Sequence, residues 1–281
     1  MTLRVVVTGA DGQLGTEICQ AIGSHDLCPL TILDCDVADL RIIDIIREFH
    51  PDLVIHTAAL TNVDGCALNP ELGYAINALG TRNVALGCQR AGAEMLYIST
   101  NEVFDGTTAS AYWEFDQPNP VNPYGMSKLA GEAFVHALLS RFYIVRTAWL
   151  FGRFGLNFVK KMIGLADQHG SLRVVDDEVG SPTYAKDLAC AIAKLIETHV
   201  YGTYHFVNAG ACSRWEFAKA IMELSGRAHV PVEPIKSGDF TRLSKPPAFS
   251  PLRNFCGETL GISLRPWQEA LADYLAATGK G

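Results

Sequence analysis

A glycine-rich turn sits at the first strand-to-helix junction of the chain. Thr8-Gly9-Ala10-Asp11-Gly12-Gln13-Leu14-Gly15 follows the apolar run Leu3-Arg4-Val5-Val6-Val7 and opens a helical stretch over residues 13–22. Glycines in such a turn let the backbone bend sharply and come close to a pyrophosphate. The helix N-terminus behind them offers free N–H groups and the positive end of the helix dipole. The spacing is G-x-x-G-x-x-G, and its strand-turn-helix setting marks it as a dinucleotide-binding loop. Such a loop commits the chain to a parallel sheet covered by helices on both faces.

The rest of the first half keeps that rhythm. Residues 30–33, 53–57, 95–99 and 143–147 read as strands, and 41–49, 71–91 and 124–139 read as helices. The strand runs are continuously apolar rather than alternating, as expected for strands buried on both faces. The fold class is therefore α/β, a Rossmann-type doubly wound parallel sheet with a smaller C-terminal substrate-binding lobe. Residues 1–150 are assigned to the dinucleotide-binding domain. Residues 151–281, where prolines gather at 231, 234, 246, 247 and 251, are assigned mainly to the substrate lobe, with about 184–196 packing back on the first domain.

Composition narrows the function. With 281 residues and 48% hydrophobic content the chain can bury a large core. A formal net charge of −7 gives no electrostatic footprint for nucleic acid, yet leaves room for a local basic pocket that takes a small anion. No apolar run of about 18 residues occurs, so no membrane partner is expected. No charged and then apolar leader opens the chain, and the location expected is cytoplasmic. The eight cysteines are scattered without zinc spacing, which suggests buried free thiols in a reducing compartment. No metal-ligand set can be matched.

Cofactor choice turns on Asp34, placed at the end of the second strand about twenty residues after the glycine loop. A carboxylate there accepts from the ribose 2′-hydroxyl and repels a 2′-phosphate. No Arg or Lys lies between Thr8 and Asp36. The residues lean to NADH.

Asn122-Pro123-Tyr124-Gly125-Met126-Ser127-Lys128 holds Y-x-x-x-K at the start of a helix, which places the phenol and the ammonium on one face. A cation about 4 Å from the phenol contributes roughly 4 kcal/mol at an effective dielectric of 20. That would lower the tyrosine pKa by up to about three and make it a general acid near neutral pH. Ser99-Thr100 ends the fourth strand, where open α/β sheets bind ligands, and a hydroxyl there can bond a substrate carbonyl.

At these residues the chain resembles the extended short-chain dehydrogenase/reductase family, and within it the reductases of dTDP-4-keto-6-deoxy sugars. The resemblance runs through Gly9–Gly15, Asp36-Val37-Ala38-Asp39, Thr57-Ala58-Ala59-Leu60-Thr61-Asn62, Ile76-Asn77-Ala78 and Ser99–Gly106. It continues in the Tyr124 motif, Val145–Gly152 and Asp177–Ala189. It implies a triad of Thr100, Tyr124 and Lys128, with Lys128 also on the nicotinamide ribose. It implies that Gly9, Gly12, Gln13, Leu14, Asp36, Val37, Ala58, Ala59 and Asn77 line the cofactor together with Tyr124 and Lys128, and that Trp149 faces the sugar.

The implied reaction is NAD(P)H-dependent reduction of the C4 keto group of a dTDP-4-keto-6-deoxy sugar, giving dTDP-L-rhamnose or a close relative for polysaccharide synthesis. The family generally uses NADPH, with some members accepting NADH, so both stay open. A homodimer is one form left open. Where the family commonly has Asp and Tyr after the catalytic Thr, this chain has Asn101 and Glu102. Glu102 is expected to contact substrate. It also leaves two alternatives standing, a nucleotide-sugar dehydratase or epimerase on the same scaffold and a non-catalytic cofactor-binding regulatory subunit.

Overall fold

The computed structural model describes residues 2–239 and 241–279. Strands and helices alternate through the first half as β1 (Arg4–Thr8), α1 (Gln13–Ala21), β2 (Asp26–Leu30), α2 (Arg41–Phe49), β3 (Leu53–His56), α3 (Val63–Leu68), α4 (Pro70–Tyr74), α5 (Thr81–Ala91), β4 (Glu94–Thr100), α6 (Pro123–Leu138) and β5 (Phe142–Thr147). The second half comprises β6 (Leu150–Phe151), α7 (Phe158–His169), β7 (Leu172–Val175), β8 (Val179–Gly180), β9 (Thr183–Tyr184), α8 (Ala185–Ile196), β10 (Gly202–His205), β11 (Cys212–Ser213), α9 (Arg214–Leu224), β12 (Val232–Ile235), α10 (Phe255–Thr259) and α11 (Trp267–Ala277).

The main sheet has the order β2-β1-β3-β4-β5-β10, every pairing parallel. Chain direction across the sheet reverses between β1 and β3, so the loops leaving their C-terminal ends diverge and open a crevice. Parallel strands need both faces covered, and the apolar patterns supply the cover. On one face Val5, Val7, Leu96 and Val145 pack against Ile18 of α1 and Leu188 and Ile192 of α8. On the other face Val6, Val54 and Met95 pack against Ile42, Ile43 and Ile46 of α2 and Val84 of α5. Fully burying each of those isoleucines contributes about 1.5–3 kcal/mol. A separate core joins Phe151, Val159, Phe217, Trp267 and Tyr274 in the second half.

The second strand lies earlier than the sequence suggested. It covers 26–30, and Thr31 then closes a turn in which its N–H and its hydroxyl both donate to Asp34, at 2.7 and 2.8 Å. Ile32 and Leu33, taken from the sequence as strand residues, sit on that turn and are exposed. The long helix expected over 71–91 exists but is interrupted by a π-helical turn, Ala75–Gly80, between α4 and α5. Residues 202–205 showed no strand pattern in the sequence, yet form the sixth strand of the main sheet. All eight cysteines are free, four of them buried and Cys190 exposed. Among the described residues no helix is long and apolar enough to cross a membrane.

Candidate active site

The crevice at the sheet's C-terminal edge is a cleft of about 640 Å³ running from Ile32 and Asp36 at one end to Trp149 and Arg214 at the other. Its first wall is the glycine loop. Gly9 has φ +67°, and a Cβ there would fall 2.8 Å from the Ala58 backbone. Gly15 faces the carbonyl of Gly9 so closely that no Cβ fits. Gly12 caps α1 without any side-chain hydrogen bond, and the first turn of α1 carries no acidic residue. An anion therefore meets N–H groups and the positive helix end with no side-chain cap competing. This cradle fits a dinucleotide pyrophosphate. Ala58 and Ala59, leaving β3, form the opposing lip, and Val37 and Asp36 stand at the outer end. Leu14 lines the floor, while Gln13 also accepts from Asn157 Nδ2 at 3.0 Å and so ties α1 to the second half.

Two residues assigned to the cofactor lie elsewhere. Asp34 is exposed on the turn after β2, its carboxylate occupied by Thr31, and it is not part of the cleft wall. The early end of β2 moves it away, and Asp36 is the carboxylate at that end of the cleft. Asn77 is fully buried in the π-helical turn, behind the wall. Its Oδ1 accepts from Leu60 N–H at 2.8 Å, and its Nδ2 donates to Leu60 C=O at 3.1 Å and to Ser127 Oγ at 3.0 Å. It braces the lip against α6 rather than lining the cleft.

The inner part of the cleft gathers Thr100, Tyr124 and Lys128. Thr100 ends β4. Tyr124 and Lys128 sit on the first turns of α6, whose N-cap is Asn122, with Pro123 as the first helical residue. Asn122 Oδ1 accepts from Gly125 N–H at 2.9 Å. Gly125 permits the whole assembly, because its α-carbon lies against the backbone carbonyl of Glu102 where no side chain could fit.

The electrostatics differ from the sequence expectation. The Lys128 ammonium donates to Ile98 C=O at 2.7 Å and lies 4.2 Å from the centre of the Tyr97 ring. Burial depresses its pKa to about 7, opposed by the Glu132 carboxylate. Glu132 is itself held by Arg146, at 2.9 and 2.7 Å, and by Ser99 Oγ at 2.5 Å. Tyr124 is therefore not lowered. Burial first, and the Glu102 charge second, push its phenol well above the usual tyrosine range, with a hydrogen bond to Thr100 opposing them. A phenol so placed stays protonated at neutral pH and can give its proton to a developing alkoxide.

The far end of the cleft contains charge that local sequence did not reveal. Trp149 has φ +43°, a left-handed backbone that a tryptophan rarely adopts, and its indole lies flat against Gly180. The Arg214 guanidinium stacks 3.6 Å from the Trp149 ring centre. Arg242 donates to Glu178 at 2.9 Å, and Arg214 stands 3.9 Å from the same carboxylate. Glu102 belongs to this corner. Its carboxylate accepts from Asn122 Nδ2 at 2.6 Å, and burial raises its pKa, while Asn122, Arg214 and Arg242 work the other way. The sequence does mark where α9 begins, since Ser213 and Glu216 form a capping box that puts Arg214 at the first helical position. Nothing local marks Arg242 or Glu178.

Comparison with known proteins agrees in extent with this geometry. A family model described as the RmlD substrate binding domain matches residues 3–279. The chain is 40% identical over 275 residues to the spore coat polysaccharide biosynthesis protein SpsK of Bacillus subtilis (strain 168), covering 97% of this chain and 96% of that one. It is 40% identical over 284 residues to the dTDP-4-dehydrorhamnose reductase of Mycobacterium tuberculosis, covering 98% and 93%. The crystal structure of dTDP-4-dehydrorhamnose reductase from Bacillus anthracis in complex with NADP superposes with a TM-score of 0.95 at 40% identity, over 99% of this chain and 100% of that one.

Proposed function

The chain belongs to the RmlD substrate binding domain family, and we propose that it reduces dTDP-4-dehydrorhamnose to dTDP-L-rhamnose with NADPH or NADH. The reading is carried by one observation. Thr100, Tyr124 and Lys128 converge on the inner cleft, between a glycine cradle shaped for a dinucleotide and a charged corner that includes Trp149.

When bound, the reduced nicotinamide would supply a hydride to C4 of the sugar. Tyr124 gives its proton to the oxygen that becomes the alkoxide, and Thr100 holds that oxygen from the side. Lys128 would hold the nicotinamide ribose through its ammonium. The N–H groups at the start of α1, with Gly9 and Gly12, take the pyrophosphate. Gln13, Leu14, Asp36, Val37, Ala58 and Ala59 shape the rest of that half. Trp149 gives the sugar an apolar face, and Arg214 offers the substrate diphosphate a cation.

Residues 1–150 form the cofactor part and 151–281 mainly the substrate part, with 184–196 counted with the first because they complete its helical layer. The product is a precursor for surface polysaccharide, made in the cytoplasm. A homodimer stays open as its assembly, and light scattering of the purified protein tests it.

The test of function is turnover with dTDP-4-dehydrorhamnose and each reduced cofactor, followed at the nicotinamide absorbance and by identification of the product. Oxidation of cofactor coupled to dTDP-L-rhamnose is the expected result. No oxidation with either cofactor would overturn the reading.

A further inference from the structure

Glu102 has features that the reduction itself does not use. It leaves β4 two residues beyond Thr100, and its N–H donates to Thr100 Oγ1 at 3.2 Å. Its carbonyl presses on Gly125, the residue after Tyr124. Its carboxylate charge acts on the Tyr124 phenol, and Glu102 lines the cleft together with Thr100 and Tyr124. Asn122 fixes one carboxylate oxygen through Nδ2, while Oδ1 of the same amide caps the helix that carries Tyr124. Among the described residues the other oxygen, Oε1, accepts no hydrogen bond.

Arg214 and Arg242 help to hold this carboxylate ionised, so its charge has partners in the fold, but its second oxygen has none. A partly buried carboxylate with one oxygen fixed and one turned to a reactive cleft points to chemistry. The carbons on either side of a ketone bear acidified hydrogens, and a base beside the carbonyl is beside those hydrogens too.

We propose that Glu102 is a second acid–base group of this site, removing and returning the hydrogen on a carbon adjacent to the substrate's keto group. The C–H bond breaks as the Glu102 oxygen takes the proton. Its electron pair forms a C=C bond, and the carbonyl π pair moves onto O4, where Tyr124 and Thr100 hold the enolate. The step is redox-neutral and needs no co-reactant. The burial that raises the Glu102 pKa makes it a stronger base. The enolate has only one way forward. Asn101, the neighbour that could otherwise serve as an acid to expel a hydroxyl, is an amide whose Nδ2 donates to Ser250 Oγ at 2.7 Å. Reprotonation by Glu102, after exchange of its proton with water, is what remains. The outcome is hydrogen exchange at the carbon next to C4, running beside the reduction.

This inference rests on the keto-sugar reading above, and a single pair of assays separates the two. The protein, saturated with oxidised cofactor so that the carbonyl cannot be reduced, is incubated with dTDP-4-dehydrorhamnose in D₂O. The recovered sugar is examined by mass and by NMR. Wild type should introduce deuterium next to C4 at least tenfold faster than buffer alone. Glu102→Gln should fall to the buffer rate while losing less than tenfold in reduction, and Glu102→Asp should recover part of the exchange. Cofactor binding, read by nicotinamide fluorescence, reports whether each variant is folded. Wild-type exchange no faster than buffer overturns the inference, even if the variants fail to fold. Exchange in Glu102→Gln equal to wild type overturns it as well. Reduction without exchange removes this inference and leaves the proposed function, whereas exchange without reduction does the opposite. The absence of both removes both.

Discussion

At the dinucleotide end of the cleft the recognising surface is backbone and small side chains. Gly9, Gly12, Gly15, Ala58 and Ala59 present N–H groups and close approaches, and the positive charge is that of a helix end. At the sugar end the surface is made of large and ionised side chains. Tyr124, Glu102, Trp149 and Arg214 reach it from separate segments, with the Glu178 and Arg242 pair backing Arg214. A pyrophosphate is the same in every dinucleotide, so a fixed backbone cradle suffices for it. A sugar and its diphosphate must be read group by group, and only side chains can do that. Substitutions at the two ends should accordingly separate into effects on cofactor, Lys128 included, and effects on sugar, with Thr100 and Tyr124 between them touching turnover.

The largest effect is expected between the ends. Tyr124→Phe removes the proton donor and keeps the ring, so kcat should fall by about a hundredfold or more with cofactor affinity unchanged. Turnover within a few-fold of wild type would take Tyr124 out of the mechanism.

At the sugar end, Arg214→Leu keeps a side chain over Trp149 and deletes the cation. Loss of a hydrogen bond to a charged group costs about 1.5–3 kcal/mol, so KM for the nucleotide sugar should rise by roughly tenfold to a hundredfold. The cofactor Kd should not move. A shift in cofactor affinity of the same size would break the division between the two ends.

At the cofactor end, the pKa of Lys128 near 7 is depressed from that of a free lysine, so the ammonium is charged below pH 7 and neutral above it. Binding to ribose hydroxyls favours the charged form. Affinity for reduced cofactor should therefore decline as pH rises from 6 to 9, by about tenfold, which corresponds to one charge-assisted hydrogen bond. Titration by nicotinamide fluorescence measures it, and Lys128→Met should flatten the profile. A flat profile in wild type would mean that the charge of Lys128 is not what the cofactor binds.

The smallest effect concerns cofactor choice. Among the described residues the cleft wall carries two basic side chains, Lys128 and Arg214, and neither is at the Asp36 end. Both cofactors should turn over, and Asp36→Ala should improve kcat/KM for NADPH relative to NADH by a few-fold, about 1 kcal/mol. An unchanged ratio would assign the preference to other groups.

The same contrast explains what could be read from sequence. The glycine loop, the end of β4 and the start of α6 are local patterns, and each residue's role follows from neighbours within eight positions. The two misplaced cofactor residues failed for physical reasons. The strand reading ran through Ile32 and Leu33 because they are apolar, although the turn clamped by Asp34 leaves both exposed. Asn77 shares its stretch with wall residues, but the π-helical turn aims its amide at Leu60. The expected tuning of Tyr124 by Lys128 failed because helical spacing fixes which face a side chain leaves from, not which carbonyl captures its end. Arg242 and Glu178 meet across 64 positions, and no pattern of neighbours encodes that meeting.

The sixth strand of the main sheet has a consequence for how the molecule is made. β5 pairs with β4 on one side and with β10 on the other, and α8 covers part of the same sheet. A growing chain that has reached residue 150 therefore holds every part of the glycine cradle while β5 is still an open edge and one apolar face lacks a helix. Open edges and bare apolar faces invite pairing with other chains. Completion must wait for residue 205, which comes only after β6 to β9, α7 and α8 have all emerged. The order of synthesis thus obliges the two halves to mature together, and a gene cut at their apparent boundary would yield a sticky fragment rather than a cofactor-binding module.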